Sequence, residues 1–398
     1  MDSKGYMELE GTWGAHNYHP LPVVIERAEG VWVWDVEGNK YMDMLSAYSA
    51  VSQGHLHPHV IAEAKAQLDR LTLTSRAFYN DRLGPFLKRL CELAGMEMAL
   101  PMNTGAEAVE TAIKMARRYA YTKMGVPAEK GEIIVCDNNF HGRTTTIVGF
   151  SSDPDSKDGF GPFTPGFTSI PFNDLDAFQD AIHGETVGIL VEPIQAEAGI
   201  FVPDPGYLKG LRDICDDKGI LLMFDEIQTG LCRTGKMFAF QYEDAKPDIL
   251  TVGKAIGAGV IPLSAAISSR EIMSVFTPGS HGSTFGGNPL ACAVGEAAID
   301  VLVDERLDER ATELGAYLME KLETIRTPNV KEIRGIGLLV GIEMVLDEGQ
   351  TVRPHCEKLM GMGMLCKDTH ERTIRLAPPL TITEEELDWA VDRLTQVL

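Results

Sequence analysis

The chain has little of what would mark it as anything other than a large globular protein. Only seven of its 398 residues are cysteine, at positions 91, 136, 215, 232, 292, 356 and 366, and no two form a CxxC pair. An odd, scattered set supports neither a disulfide framework nor a zinc site, and it fits a reducing cytoplasm. Positive charge is scarce: 36 basic against 58 acidic residues give a formal net charge of −22. Such a surface repels phosphate backbones, so nucleic acid is not an expected partner, although a single pocket can still be basic. No apolar run approaches the length of a bilayer span, and the N-terminal "MDSKGYMELEGTW" has no apolar signal-peptide core. A cytoplasmic protein without a membrane partner is expected. Repeats, low-complexity tracts and flexible linkers are also missing.

Short aliphatic runs alternating with helical patterns are what the chain does contain. Strands are expected around "EIIVCD" (132–137), "VGILVEP" (187–193), "GILLMFDE" (219–226), "DILTVGK" (248–254) and "LSAAISS" (263–269). Nearly continuous apolar runs of this length read as strands buried on both faces. Between them, Val109, Ala112, Ile113 and Ala116 recur at helical spacing. Thr104 followed by Glu107 is a capping-box start for that helix. The alternation predicts an α/β domain with a mostly parallel sheet flanked by helices and right-handed crossovers. After Pro289 the pattern changes to two long helices, the apolar "LLVGIEM" and a terminal helix carrying Leu387, Ala390, Val391 and Leu394. That reads as a smaller α+β domain. Near the start, "VWVWDVEGNKYMDM" predicts a hairpin turning at Glu37–Gly38–Asn39 within an N-terminal arm.

Lys254 poses the first chemical question, because "ILTVGKAIGAG" surrounds it with apolar and small residues. A lysine there either snorkels its amine to water or is desolvated, which lowers its pKa and suits it to carbonyl chemistry. Asp225 lies 29 residues earlier and follows five apolar residues. It can be a helix cap, but catalytic groups of parallel sheets gather at the carboxyl ends of strands. A carboxylate able to pair with a protonated ring nitrogen, together with a desolvated lysine, is the combination a pyridoxal-phosphate site needs. "MNTGAEAVE" then supplies Thr104, Gly105 and Ala106 at a helix start, where free amides and the helix dipole favour a phosphate. In "NNFHGRTTT", Phe140 can stack on a planar cofactor and Arg143 can clamp a carboxylate. Arg375, set among apolar residues and prolines in "TIRLAPPL", needs a carboxylate partner, either internal or from a substrate.

Three patterns carry no function. "GLCRTGKM" misses the P-loop because Met237 stands where Ser or Thr would hold magnesium. The alternating His55, His57 and His59 of "GHLHPH" have no neighbouring Cys or carboxylate to complete a ligand set, so no metal is expected. "RGIGLLVG" lacks dinucleotide-binding spacing, and its first two glycines read as a turn.

In order, "NTGAEAVETAIKMAR", "NFHGRT", "VEPIQAEAG", "FDEIQTGLCRTG", "TVGKAIGAG", "GSTFGGNPLA" and "RLAPPL" resemble the class III pyridoxal-phosphate aminotransferases. The resemblance runs from about Trp13 to the last helix. "AHNYHPLP", "SAYSAVSQGH", "TLTSRAFYN" and "SDPDSKDGFGPFTPGF" resemble the branch of the family that acts on ornithine. The resemblance implies fold type I, with an N-terminal arm (1–48), a large cofactor-binding domain (49–282) and a small C-terminal domain (283–398). It implies pyridoxal 5'-phosphate as cofactor, with Lys254 as the Schiff-base lysine and Asp225 as partner of the pyridine nitrogen. Phe140 and Ile227 resemble the residues on the two ring faces, and Gln228 the contact to the phenolic oxygen. Thr104, Gly105 and Ala106 would hold the phosphate, with Ser283 and Thr284 reaching across from the other subunit of a homodimer, alone or within a higher oligomer. Tyr18 and Arg143 resemble the pair that holds the ornithine α-carboxylate, and Tyr48 the ring near its side chain. Glu197 and Arg375 resemble a switch, paired while ornithine is bound and opened for glutamate. The implied reaction moves the δ-amino group of L-ornithine to 2-oxoglutarate. N-acetylornithine, 4-aminobutyrate or a racemase activity are the alternatives on this scaffold. Two departures are local: His141 stands where some ornithine enzymes carry Trp, and Ala196 where many members carry Gly.

Overall fold

The computed structural model describes residues 1–398. Its central sheet has seven strands: β1 (Met98–Met102), β2 (Glu132–Cys136), β3 (Phe167–Ile170), β4 (Thr186–Val191), β5 (Leu221–Asp225), β6 (Ile249–Val252) and β7 (Ser264–Ser268). Their order across the sheet is β1-β7-β6-β5-β4-β2-β3. The strands from β6 to β3 are all parallel, and only β7 runs antiparallel to its neighbours β1 and β6. Every residue of β4, β5, β6 and β7 is buried, which is why these strands read as unbroken apolar runs. The two outermost strands, β1 and β3, were not expected. Both are short, and β1 contains Pro101, whose missing amide hydrogen an edge strand tolerates.

Alternation along each strand divides the core between the two faces of the sheet. Leu221 and Met223 of β5 pack with Val109, Ala112, Ile113 and Ala116 of the Gly105–Tyr119 helix. Leu222 and Phe224 point the other way, into the larger core that extends to the C-terminal helices. The expected apolar stripe and capping box of that first helix are both present. The terminal helix Glu384–Val397 likewise buries Leu387, Ala390, Val391 and Leu394.

Two smaller sheets flank this body. Trp32–Asp35 and Lys40–Asp43 form the expected hairpin. Asp35 fixes its turn by accepting hydrogen bonds from the Glu37 and Asn39 amides, the Asn39 side chain and the Tyr41 hydroxyl. Near the C-terminus, Val330–Ile336, Leu339–Met344, Thr373–Leu376 and Lys367–Thr369 make an antiparallel sheet in that spatial order. Of the glycines read as one turn, Gly335 lies within a strand and only Gly337 turns the chain. A Cβ on Gly337 would sit 2.4 Å from the Thr234 carbonyl carbon, and its φ of +59° is left-handed, so glycine is required there. The three histidines at 55, 57 and 59 diverge onto three different carboxylates, Asp43, Glu305 and Asp300. No helix is long and apolar enough to cross a membrane.

Candidate active site

The carboxyl ends of β2, β4, β5 and β6, with the start of the Gly105–Tyr119 helix, surround one cavity of about 190 Å³. Gly105, Ala106, Phe140, Asp225, Ile227, Gln228 and Lys254 all line it, so seven of the expected site residues come together in one place. Thr104 caps the helix, accepting from the Glu107 amide while the Glu107 carboxylate accepts from the Thr104 amide. That leaves the Gly105 and Ala106 amides without partners inside the helix.

Lys254 follows β6 after the single residue Gly253 and takes φ +46°, a left-handed conformation uncommon outside glycine and frequent at functional sites. Burial pushes its amine down to about 8, against the pull of Glu197 and with the repulsion of Arg375. The desolvated reading of this lysine is therefore the one the fold supports. Asp225 is held by three donors: the Ile227 amide (3.1 Å) and Thr251 hydroxyl (3.2 Å) on Oδ1, and His141 Nδ1 (2.7 Å) on Oδ2.

Glu197 and Arg375 form an ion pair beside this cavity, with Nη1 donating to Oε1 at 2.6 Å. Gln228 bridges the pair, its Nε2 donating to Glu197 Oε1 and its Oε1 accepting from Arg375 Nη2. The amide expected at a phenolic oxygen is thus engaged with the ion pair. Burial raises the proton affinity of Glu197, but Arg375 and then Lys254 outweigh it and hold the carboxyl at about 2. Tyr48 packs its ring 5.5 Å from the Arg375 guanidinium carbon.

Other expected residues lie further apart. Arg143 sits 5.5 Å from the Phe140 ring centroid and donates to Ser156 Oγ. Tyr18 is 76% exposed on the arm, and no hydrogen bond joins it to Arg143 within the chain. Ser283 accepts from Asn103 Nδ2 of its own chain, one residue before Thr104. His141, Gly142, Glu192, Ile194 and Thr229 also line the cavity and were missed as site residues. Glu192 had a readable signal: it follows β4 as directly as Asp225 ends β5.

The cavity suits a flat, phosphorylated pyridine. A Cβ at Gly105 would press within 3.0 Å of Ile227, and one at Gly142 would meet Ala106 at 2.8 Å, so the slot stays narrow and open. The first residues of a helix, a carboxylate and an amine all line it, from Gly105, Ala106, Asp225 and Lys254. His141 Nε2 is an orphaned buried polar atom on the wall. These features fit pyridoxal 5'-phosphate.

Comparison with known proteins agrees. The family model Aminotransferase class-III matches residues 13–398, and the chain is a member of that family: a pyridoxal-phosphate-dependent transaminase of fold type I. The ornithine aminotransferase of Brevibacillus brevis is 58% identical over all of this chain and 99% of its own. A crystal structure of the ornithine aminotransferase of Toxoplasma gondii superposes with TM-score 0.98 at 44% identity, covering 100% of this chain and 95% of that one. A second structure of the Toxoplasma enzyme is described with partial occupancy of the cofactor at its active site. An acetylornithine aminotransferase of Elizabethkingia anophelis is also similar, with TM-score 0.91 at 46% identity over 100% and 99% of the two chains.

Proposed function

We propose that this chain transfers the δ-amino group of L-ornithine to 2-oxoglutarate, yielding glutamate and glutamate-5-semialdehyde, which cyclises to pyrroline-5-carboxylate. One observation carries the reading: a buried arginine, Arg375, closed by Glu197 beside the Lys254 amine. Ornithine has amines at both ends and glutamate only at its α-carbon, so one site must present different ends of two substrates. An open Arg375 would capture the α-carboxylate of ornithine and offer its α-amine. With Glu197 neutralising it, that carboxylate binds further out, where Arg143 and Tyr18 can hold it. A dicarboxylate displaces Glu197, taking the guanidinium with a bidentate, charge-assisted pair.

Lys254, Asp225, the Gly105–Ala106 turn and the Phe140 and Ile227 side chains would hold the cofactor. Bound pyridoxal phosphate supplies an electron sink for the pair left when the substrate C–H proton departs. Lys254 Nζ moves that proton, a role suited to an amine whose burial brings it near working pH. Asp225, pinned by three donors, would pair with the ring nitrogen and favour its protonated form. Phe140 and Ile227 exclude water from the ring faces.

The same reading includes a homodimer with shared sites and a division into arm, large and small domains at residues 48 and 282. Exposed Trp13, Phe78, Tyr79 and Phe285 support the dimer, since a monomer gains nothing from solvating them. Ser283 and Thr284 immediately precede the exposed Phe285.

A donor screen with 2-oxoglutarate as acceptor tests the function. L-ornithine should be the best donor, with pyrroline-5-carboxylate as product. Faster turnover of N-acetylornithine or 4-aminobutyrate would replace this assignment with another ω-transaminase, and activity without a keto-acid acceptor would point to a racemase.

A further inference from the structure

His141 is wholly buried, with no side-chain exposure, and lies between the Phe150 ring and Asp225. Its Nδ1 lies 2.7 Å from Asp225 Oδ2, a carboxylate oxygen to which it is placed to donate. Its Nε2 is buried with no partner. An orphaned ring nitrogen is a recurring cost, and a histidine retained only for packing would lose nothing by becoming phenylalanine. The other two donors to Asp225, the Ile227 amide and the Thr251 hydroxyl, both bind Oδ1. His141 alone engages Oδ2 from the protein side. Without it, the carboxylate is fixed through one oxygen and can swing about that contact.

We propose that His141 is a positioning residue, whose Nδ1–H fixes the plane of the Asp225 carboxylate and thereby the seat of the cofactor's ring nitrogen. This rests on the reading of Asp225 as partner of that nitrogen. The surroundings are consistent with it. The charged groups facing His141 are Asp225 and Glu192; burial opposes its protonation, but Asp225 and then Glu192 more than offset this, raising its proton affinity. Glu192, whose Oε2 accepts from the Phe140 amide, is itself pushed up to about 8 by burial and by Asp225. The Asp225 carboxylate is the one that the ring's Nδ1 reaches, at 2.7 Å.

Three variants separate the possibilities: His141→Phe, His141→Asn and Asp225→Asn. The amide nitrogen of asparagine can stand where Nδ1 stands and donate to the same oxygen. Cofactor affinity of each apoprotein is measured by titration with pyridoxal phosphate, alongside the visible circular dichroism of the bound cofactor and the apoprotein melting temperature. His141→Phe should weaken affinity about tenfold or more, the worth of one hydrogen bond to a charged group, and should reduce the dichroism. His141→Asn should restore both to within about threefold of the parent, since the bond is remade. Phenylalanine and asparagine variants that behave alike, whether both intact or both impaired, would overturn the proposal. An Asp225→Asn protein with parental affinity and dichroism would instead overturn the role of Asp225, whatever the His141 variants do.

Discussion

Arg375 and Arg233 are equally sealed from solvent, at 1% and 0% exposure, yet they are held in opposite ways. Arg375 meets a carboxylate, Glu197, which in the proposed reaction gives way to the carboxylate of a substrate. Arg233 meets only neutral oxygens: Nη1 donates to the Leu338 and Pro378 carbonyls, and Nη2 to the Ser46 and Ser52 hydroxyls. Burial and the charge of Arg375 push Arg233 down to about 9. Its acceptors belong to three separate segments, so it ties the N-terminal region and the C-terminal sheet to the loop after β5. One of those segments is costly by itself. Ser46, Ala47, Tyr48 and Ser49 all have φ between 45° and 73°, a left-handed turn without glycine. Arg233 helps to hold that turn, and the turn places Tyr48 against Arg375. A buried charge paired with an exchangeable anion is a device for function, whereas one spread over fixed dipoles is a device for structure.

Substitutions on the two sides should therefore fail differently. Lys254→Ala should lower transamination by at least about 10⁴-fold, the upper range for general acid–base catalysis, while the melting temperature stays near the parent's. A steady-state assay with a thermal scan checks both, and near-parental turnover would break the comparison at its functional end. Asp225→Asn should cost about 10³-fold in rate, comparable to losing one preorganised electrostatic group, again without unfolding. On the structural side, Arg233→Met removes the donor from four acceptors, two of them carbonyls. It should cost roughly 2 to 4 kcal/mol by denaturant titration, while folded protein retains cofactor binding. A smaller signature belongs to Lys254. Its amine is neutral above about pH 8, so cofactor uptake by the apoprotein should quicken as pH rises and level off above that value. Stopped-flow absorbance across pH 6 to 10, an interval of roughly two units on either side, reads it.

Much of this site was legible in the chain because its residues follow strands buried on both faces. Lys254 and Asp225 stand out as charges immediately after apolar runs, and Gly105 as the start of a capped, amphipathic helix. What was not legible depends on contacts between distant segments. The strand Thr373–Leu376 was hidden because Arg375 interrupts its apolar pattern, and its carboxylate partner lies 178 residues away. The engagement of Gln228 with that pair follows from the crossing of two segments, which spacing does not encode. His141 looked like a local departure from a motif, since only the fold sets its ring against Asp225. Edge strands β1 and β3 are only partly buried, so they lack the unbroken apolar pattern that revealed the five inner ones.

The central claim is that Glu197 keeps Arg375 closed to one substrate and yields it to the other. Single-turnover absorbance of Glu197→Ala with ornithine and with glutamate separately, together with identification of the ornithine product, tests it most directly. The account predicts that the glutamate half-reaction gains on the ornithine one and that α-transamination of ornithine appears. Equal slowing of both half-reactions, with only the δ-product formed, would contradict it and leave Glu197 a structural partner of Arg375.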